Sequence, residues 1–192
     1  MKGKTIAFDF DDTLYNSVEL FLVFNQKMFG GTATYADIGP GHFHEYLGIT
    51  EEEENNRWNL FFNDPEYWDG KPHHKTLETL QDLKTNHRLV VLTARTKDWQ
   101  HQVKSWIEKH LPNIFEEILF VDSPEFQKQS KVLICNAKNI AYLIDDNVYQ
   151  ITSCLEYPDP KVEIIVFDRP WNRHIAHQAP RVTSFQEVLK FL

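Results

Sequence analysis

Short apolar runs alternate with helical segments along most of this chain. Two of them, residues 5–8 and 88–93, are largely uncharged, as strands are when a parallel sheet is covered on both faces. Three further runs follow at 118–121, 140–144 and 162–167. Strands that alternate with helices predict a parallel sheet joined by right-handed crossovers. The expected fold is an α/β, Rossmann-like, doubly wound parallel sheet of five strands.

The segment after the first run differs in texture from the rest. Residues 16–72 contain apolar residues at helical spacing and many aromatic residues, but no strand-like run. We therefore predict a small helical cap over 16–72, inserted into an α/β core formed by 1–15 and 73–192. The predicted helices span 17–29, 50–62, 75–85, 97–110 and 126–137, with a short helix after Asn147 and a final one from Ser184.

The composition limits the classes of partner. The formal net charge of −8 disfavours nucleic-acid polymers, because phosphate backbones are bound by basic surfaces. Cys135 and Cys154 stand among apolar neighbours, so we expect buried thiols of a reduced compartment rather than a disulfide. No apolar run suits a signal peptide or a membrane span. We expect a cytoplasmic protein without membrane contact, and an oligomer is compatible with the sequence.

Carboxylates collect where the first and fourth predicted strands end. Asp9, Asp11 and Asp12 follow the first run, and Asp145 and Asp146 follow the fourth. Ligands of open parallel sheets lie outside the carboxyl ends of the strands, and buried aspartates are costly unless they are neutralised. If these strands are neighbours, Asp9, Asp11, Asp145 and Asp146 are candidate ligands of one Mg²⁺ ion. The alternative for the first acidic stretch alone is a solvated turn.

Four stretches together resemble the motifs of the haloacid dehalogenase-like hydrolase superfamily, in the order expected for that family. They are Asp9-Phe10-Asp11-Asp12-Thr13-Leu14, Leu92-Thr93-Ala94-Arg95, a lysine before the fourth strand, and Ile144-Asp145-Asp146-Asn147. The resemblance implies phosphoryl transfer through a phosphoaspartate. It implies Asp9 as the nucleophile, Asp11 as the general acid and base, and Thr93 as a hydroxyl that holds a phosphate oxygen.

The third motif leaves two lysines open. Lys131 is favoured for the catalytic position, Lys128 is the alternative, and for either one a solvated surface lysine is the ordinary interpretation. Asp145 and Asp146 match the acids on the metal side, without a choice between them as the direct ligand. The chemistry is consistent with these residue types, because a phosphate dianion repels an attacking carboxylate unless a cation and donors neutralise it.

The cap, the acidic pair and residues 167–173 are similar to the 5′(3′)-deoxyribonucleotidase branch of that superfamily. One difference is that the second motif has Ala94 after Thr93, where animal members of the branch have serine. Base and sugar preference therefore cannot be transferred. Two candidate substrate-binding residues, Trp58 and Phe62, lie in the cap, and the alternative is that they only form the cap's own core. The other candidates are Arg95, Arg169 and Asn172. The alternative for Arg95 is pairing with an acid, and for Arg169 and Asn172 it is a structural turn.

The favoured function is a Mg²⁺-dependent phosphomonoester hydrolase, most specifically a 5′(3′)-(deoxy)ribonucleotidase. Its partner would be a small phosphorylated substrate, expected to be a nucleotide. The alternatives are a phosphatase of another small ester or of polynucleotide 3′ ends, and a phosphate-binding module without catalysis. The last requires a lost nucleophile or acid, whereas Asp9 and Asp11 are both present.

Overall fold

The computed structural model describes residues 3–126, 129–175 and 179–192. The strands are β1 (Thr5–Phe8), β2 (Arg88–Thr93), β3 (Glu117–Phe120), β4 (Ile140–Asp145), β5 (Glu163–Phe167) and β6 (Arg181–Val182). The helices are α1 (Ser17–Phe29), α2 (Phe43–Leu47), α3 (Glu51–Phe62), α4 (Thr76–Asn86), α5 (Gln100–His110), α6 (Lys131–Lys138), α7 (Val148–Glu156) and α8 (Phe185–Val188). Short 3₁₀ helices occupy Tyr35–Asp37, Tyr67–Asp69, Lys97–Trp99 and Pro170–Ile175.

The strands form one parallel sheet in the order β3-β2-β1-β4-β5-β6. In its centre, Phe8 of β1 pairs with Val91 of β2 and with Ile144 of β4. The predicted α/β parallel fold is confirmed, with six strands instead of five. β6 has two residues, too few to form an apolar run that periodicity can detect. Because β1 and β4 are neighbours, their acidic ends lie side by side.

Both faces of the sheet are covered. Successive side chains of a strand point to opposite faces, so Ile6 and Phe8 belong to one hydrophobic cluster and Ala7 to the other. The second cluster includes Cys135 and Cys154, which are buried free thiols. With both faces covered by apolar clusters, the sheet edge at the strand ends is left for polar chemistry.

Residues 16–72, which we call the cap, contain helices and none of the six strands. The two connections between cap and sheet meet in an antiparallel bridge between Tyr15 and Pro72. Phe21 of α1 and Phe61 of α3 are buried in the same cluster as β1. The cap therefore packs on the sheet through a shared hydrophobic core. The division into core and cap domains stays a prediction.

Two predicted helices begin later than expected. The segment from Lys97 starts as a 3₁₀ turn and becomes helical at Gln100. The helix expected from Phe126 begins at Lys131, after Ser130 in an extended conformation. No helix in the described ranges combines the length and apolar character needed to cross a bilayer.

Candidate active site

Asp12 shapes the turn that follows β1. Its backbone has a φ of 51°, which is uncommon for a residue with a side chain. Its carboxylate accepts hydrogen bonds from the Ser17 hydroxyl at 2.6 Å and from the Val18 N–H at 3.1 Å. These bonds satisfy donors in the first turn of α1. Asp12 therefore directs the chain from the sheet into the cap and serves the structure of this turn.

Asp9, Asp145 and Asp146 form a buried acidic group. Each offers a carboxylate oxygen, and the three oxygens lie within 4.8 Å of one another. The Asp9 N–H donates to the Ile144 carbonyl at 2.9 Å, which extends the pairing of β1 with β4 and fixes this proximity. The side chain of Asp11, the fourth predicted ligand, is not in this group. The structure thus brings together three of the four predicted metal ligands.

Lys131 bridges two members of the acidic group. Its Nζ lies 2.6 Å from Asp9 Oδ1 and 2.7 Å from Asp145 Oδ2, and its side chain is 1% exposed. The other oxygen of Asp145 accepts from the Asn147 N–H at 2.9 Å. Both oxygens of Asp145 therefore have partners within the protein. Lys131 lies at the site, whereas Lys128, the alternative, falls outside the described residues.

Asp146 lines a cavity, and its carboxylate is oriented from both sides. The Thr13 hydroxyl donates to Oδ1 at 3.0 Å, and the Trp171 indole N–H donates to Oδ2 at 3.1 Å. The Asn172 amide donates to the Asp146 carbonyl at 2.8 Å. Neutral donors hold this carboxylate without neutralising its charge, so Asp146 is the member of the acidic group best placed to take a cation.

Burial dominates the electrostatics of the group. It raises the pKa of Asp9 to about 8, although the attraction of Lys131 opposes that shift. Burial, with repulsion from Asp12 and Asp9, raises the pKa of Asp146 well above its ordinary range. Burial lowers the pKa of Lys131, but the attraction of Asp145 and Asp9 outweighs it and leaves the ammonium charged. One lysine thus faces more negative charge than it can neutralise.

Arg95, just beyond β2, contacts an acid of the first motif. Its Nε donates to Asp11 Oδ2 at 2.7 Å and one terminal nitrogen donates to Asp11 Oδ1 at 2.5 Å. This bidentate pair holds the Asp11 side chain away from the acidic group. The Thr93 hydroxyl oxygen accepts from the Arg95 N–H at 3.1 Å, which fixes the turn after β2. Of the two interpretations of Arg95, the structure shows the pairing with an acid.

Arg169 and Asn172 lie behind the site. Arg169 Nε donates to the Asp12 carbonyl at 2.7 Å, and Nη2 lies 2.7 Å from His73 Nε2. Because a guanidinium only donates, His73 is the acceptor and is neutral at this nitrogen. Asn172 has no exposed surface, and its amide donates to the Asp146 and Phe167 carbonyls. Neither Arg169 nor Asn172 lines the two cavities that open onto the acidic group.

These two cavities have volumes of about 460 and 750 Å³. Both are lined by Asp9 and Asp11, and Trp58 of α3 lines both from the cap. Phe62 lines the larger one, together with Arg95 and Lys131. Trp58 is also stacked on Phe21 with ring centroids 3.8 Å apart. The cap aromatics thus belong to the cap core on one side and to the cavities on the other.

Gln150 and Tyr67 belong to the site but carry no sequence signal that links them to it. Gln150 accepts from the Lys131 N–H at 3.1 Å, and Tyr67 bonds to Arg95. Trp171 lies in the segment 167–173, whose resemblance could have pointed to it. Gln150 and Tyr67 reach the site only through tertiary packing, because no spacing rule links them to the motifs.

Comparisons with known proteins identify the family of this chain. The model of the family described as "5' nucleotidase, deoxy (Pyrimidine), cytosolic type C protein" matches residues 4–192. A Bacillus cereus protein named "Putative nucleotidase" is 28% identical over 187 residues, covering 95% of this chain and 94% of the relative. A relative from Halalkalibacterium halodurans with the same description is 27% identical over 176 residues, covering 90% and 83%.

Solved structures show the same fold. A haloacid dehalogenase-like family hydrolase from Streptococcus pneumoniae superimposes with a TM-score of 0.71 at 14% identity, covering 98% of this chain and 97% of that one. A hydrolase of the same superfamily from Geobacter sulfurreducens gives 0.60 at 16% identity, covering 98% and 96%. Since the family match spans nearly the whole chain, the protein belongs to the cytosolic type C 5′-nucleotidase family and is a phosphatase-type enzyme with the haloacid dehalogenase-like fold.

Proposed function

We propose that this enzyme is a Mg²⁺-dependent phosphatase that releases phosphate from nucleoside monophosphates through a phosphoaspartate at Asp9. One observation supports this above the others. Asp9 lines both cavities and lies 2.6 Å from the buried Lys131, within an acidic group that includes Asp146. A carboxylate is thus held beside a fixed positive charge at the floor of a cleft that a phosphate can enter.

The donor set suits a hard divalent cation. Its side chains offer only carboxylate oxygens, which Mg²⁺ prefers. Burial raises the pKa values of Asp9 and Asp146, and a second cation beside them would favour the ionised form of both carboxyls. Asp9 and Asp146 are therefore the proposed side-chain ligands, and Asp145 instead orients Lys131. When bound, Mg²⁺ would reduce the repulsion between the phosphate dianion and Asp9.

Hydrolysis would proceed in two displacements. In the first, an oxygen of Asp9 attacks phosphorus while the ester oxygen leaves with a proton from Asp11. In the second, water attacks the phosphorus of the acyl phosphate, Asp11 takes a proton from it, and the Asp9 carboxylate and inorganic phosphate are released. Asp11 is suited to both steps because it lines both cavities next to Asp9. In this proposal Asp11 acts as an acid and base and its side chain does not bind the metal.

Two further groups would stabilise the transferring phosphoryl group. Lys131 places its ammonium group next to Asp9, and the attraction of Asp145 and Asp9 keeps that group charged. The Thr93 hydroxyl oxygen accepts a bond from the Arg95 N–H, which leaves its proton available for a phosphate oxygen. Such preorganised donors are the main source of rate acceleration in phosphoryl transfer.

A nucleotide substrate is supported by the cap and by the relatives. Trp58 and Phe62 present aromatic surface to cavities large enough for a nucleoside, and stacking on an aromatic ring contributes roughly 1–3 kcal/mol per base. Arg169 and Asn172 are proposed to support the site from behind. The net charge of −8 favours a small substrate over a polymer. The two buried thiols and the family description support a cytoplasmic location.

A substrate panel tests this proposal. Phosphate release is measured from 5′- and 3′-monophosphates of ribo- and deoxyribonucleosides, from sugar phosphates and from 4-nitrophenyl phosphate, with Mg²⁺ and with EDTA. We expect Mg²⁺-dependent release with nucleotides as the best substrates. Hydrolysis of 4-nitrophenyl phosphate without phosphate release from any nucleotide would contradict the nucleotidase proposal but not the proposal that the enzyme is a phosphatase. Phosphate release that is undiminished in EDTA would show that the reaction does not require Mg²⁺.

A further inference from the structure

Arg95 contacts the cap as well as Asp11. The terminal nitrogen that donates to Asp11 also donates to the Tyr67 hydroxyl at 2.5 Å. The guanidinium carbon lies 3.9 Å from the centre of the Phe62 ring, a distance at which a cation is attracted to an aromatic face. One guanidinium therefore joins the end of β2, the acid after β1 and two elements of the cap.

Tyr67 is itself firmly held. Its side chain is 2% exposed, and its ring lies 4.2 Å from Phe61 between centroids. Its carbonyl accepts a hydrogen bond from the Tyr15 hydroxyl, in the connection between β1 and α1. The Tyr67 hydroxyl is therefore a fixed acceptor, and the position of Arg95 depends on the position of the cap.

The number of hydrogen bonds that Arg95 makes does not explain why it is buried. The residue is 8% exposed, and within the described part of the chain its Nη1 is buried without a hydrogen-bond partner. A buried donor without an acceptor costs about 1–3 kcal/mol. A shorter side chain would avoid this cost, but it could not reach Asp11 and Tyr67 at once in the planar geometry of a guanidinium.

We propose that Arg95 is a positioning residue through which the cap sets the orientation of the Asp11 carboxylate. This inference rests on the proposed function, in which Asp11 protonates the leaving oxygen. With the cap packed on the sheet, Tyr67 and Phe62 fix the guanidinium, and the guanidinium fixes both oxygens of Asp11. Loss of the Arg95 guanidinium, or of the Tyr67 hydroxyl that holds it, leaves Asp9 and Lys131 intact but lets the Asp11 carboxyl rotate away from the ester oxygen.

The leaving group distinguishes this role from a merely structural one. A nucleoside leaves as an alkoxide and needs a proton, whereas 4-nitrophenolate is stable enough to leave without one. The value of kcat/KM covers the steps through departure of the leaving group. For Arg95→Lys we expect kcat/KM to fall about 30-fold with a nucleoside monophosphate. This is less than the roughly 100- to 10,000-fold contribution of a general acid, because the acid is misoriented and not removed. With 4-nitrophenyl phosphate we expect a fall of less than about threefold.

Tyr67→Phe is the second variant, because it removes only the hydroxyl that anchors Arg95. For Tyr67→Phe we expect kcat/KM to fall about three- to tenfold with the nucleotide and to change little with 4-nitrophenyl phosphate. Tyr46→Phe is the matched control, since that cap hydroxyl donates to the Pro40 carbonyl at 2.6 Å, away from Arg95, and it should leave both substrates unaffected. Circular dichroism and thermal melting verify folding of each variant.

The outcomes separate this inference from the proposed function. If the wild type hydrolyses no nucleotide, the nucleotidase proposal fails, and the comparison is made with the best alkyl phosphate of the panel. Equal losses with alkyl and aryl esters in both Arg95→Lys and Tyr67→Phe would overturn the positioning role. Unchanged alkyl ester kinetics in folded Tyr67→Phe would overturn the part played by the cap.

Discussion

The ammonium group of Lys131 lies 2.6 Å from Asp9 and 2.7 Å from Asp145, and all three side chains are buried. This arrangement links the end of β1 to the end of β4 through a residue at the start of α6. A buried ammonium between two carboxylates attracts both of them and fixes their spacing. Asp9, the proposed nucleophile, is thereby held in place before any substrate arrives.

Replacing Lys131 by Met should impair both stability and catalysis. Removal of one partner from a buried ion pair leaves an uncompensated charge, which typically costs about 3–5 kcal/mol. We expect a loss of roughly this size in denaturant unfolding at pH 7, and a fall in kcat of at least about 100-fold. The control is Lys109→Met, which removes an exposed ion pair with Asp69 and should alter neither measurement appreciably.

Asp146 and Asp145 should differ in their effect on metal binding. Asp146 lines a cavity, whereas both oxygens of Asp145 are bonded to Lys131 and Asn147. Asp146→Asn should therefore weaken Mg²⁺ binding at least about tenfold in calorimetric titration, as loss of a ligand does. Asp145→Asn should change that affinity much less while it lowers kcat. Equal weakening by the two variants would show that both residues bind the metal directly.

His73 should make folding stability depend on pH. Burial, with a smaller contribution from Arg169, lowers its pKa from 6.5 to about 3. The unfolded chain therefore binds a proton that the native state rejects, and stability falls as pH drops from about 6.5 towards 3. The slope due to His73 is at most about 1.4 kcal/mol per pH unit. In His73→Gln, which keeps an acceptor for Arg169, the loss of stability between pH 6.5 and 4 should be smaller, as measured by urea unfolding. An identical pH dependence would contradict this assignment.

Asn172 should matter for stability more than for substrate affinity. Its amide donates to two buried carbonyls, and its oxygen accepts from the Arg169 N–H at 3.2 Å and from Arg181 at 2.6 Å. Asn172→Ala removes all of these bonds, although Arg181 keeps its bond to Asp168 at 2.7 Å, and we expect a loss of about 2–3 kcal/mol in unfolding experiments. KM should change less than threefold. Asn63→Ala, which removes an exposed bond to the Asn59 carbonyl, is the control. A large rise in KM with native stability would instead indicate direct substrate contact.

The sequence was sufficient to predict the sheet and the acids at its edge. An apolar run such as Arg88–Thr93 carries its own signal, and the carboxyl ends of parallel strands meet at one edge. The convergence of Asp9 with Asp145 and Asp146 follows from these two rules once β1 and β4 are neighbours. The sixth strand was missed because two residues, Arg181–Val182, are too few to show periodicity.

Side-chain partners could not be predicted in the same way. Whether Arg95 meets an acid or a ligand depends on where the cap places Tyr67, and no local pattern encodes this. The segment 167–173 indicates Arg169 and Asn172 only as candidate substrate-binding residues, with a structural turn as the alternative. Their bonds to the Asp12 and Asp146 carbonyls depend on packing between β5 and the two acidic turns. Such contacts join residues far apart in the chain, and rules based on sequence spacing cannot predict them.

The proposed mechanism depends on a covalent intermediate at Asp9, and this intermediate can be trapped. Enzyme mixed with excess nucleoside monophosphate and Mg²⁺ is quenched in acid, reduced with borohydride and analysed by peptide mass spectrometry. Reduction converts an acyl phosphate of aspartate to homoserine, and we expect homoserine at position 9 in the wild type and none in Asp9→Asn. Phosphate release by Asp9→Asn at the wild-type rate, or homoserine at position 11 instead of position 9, would contradict the account.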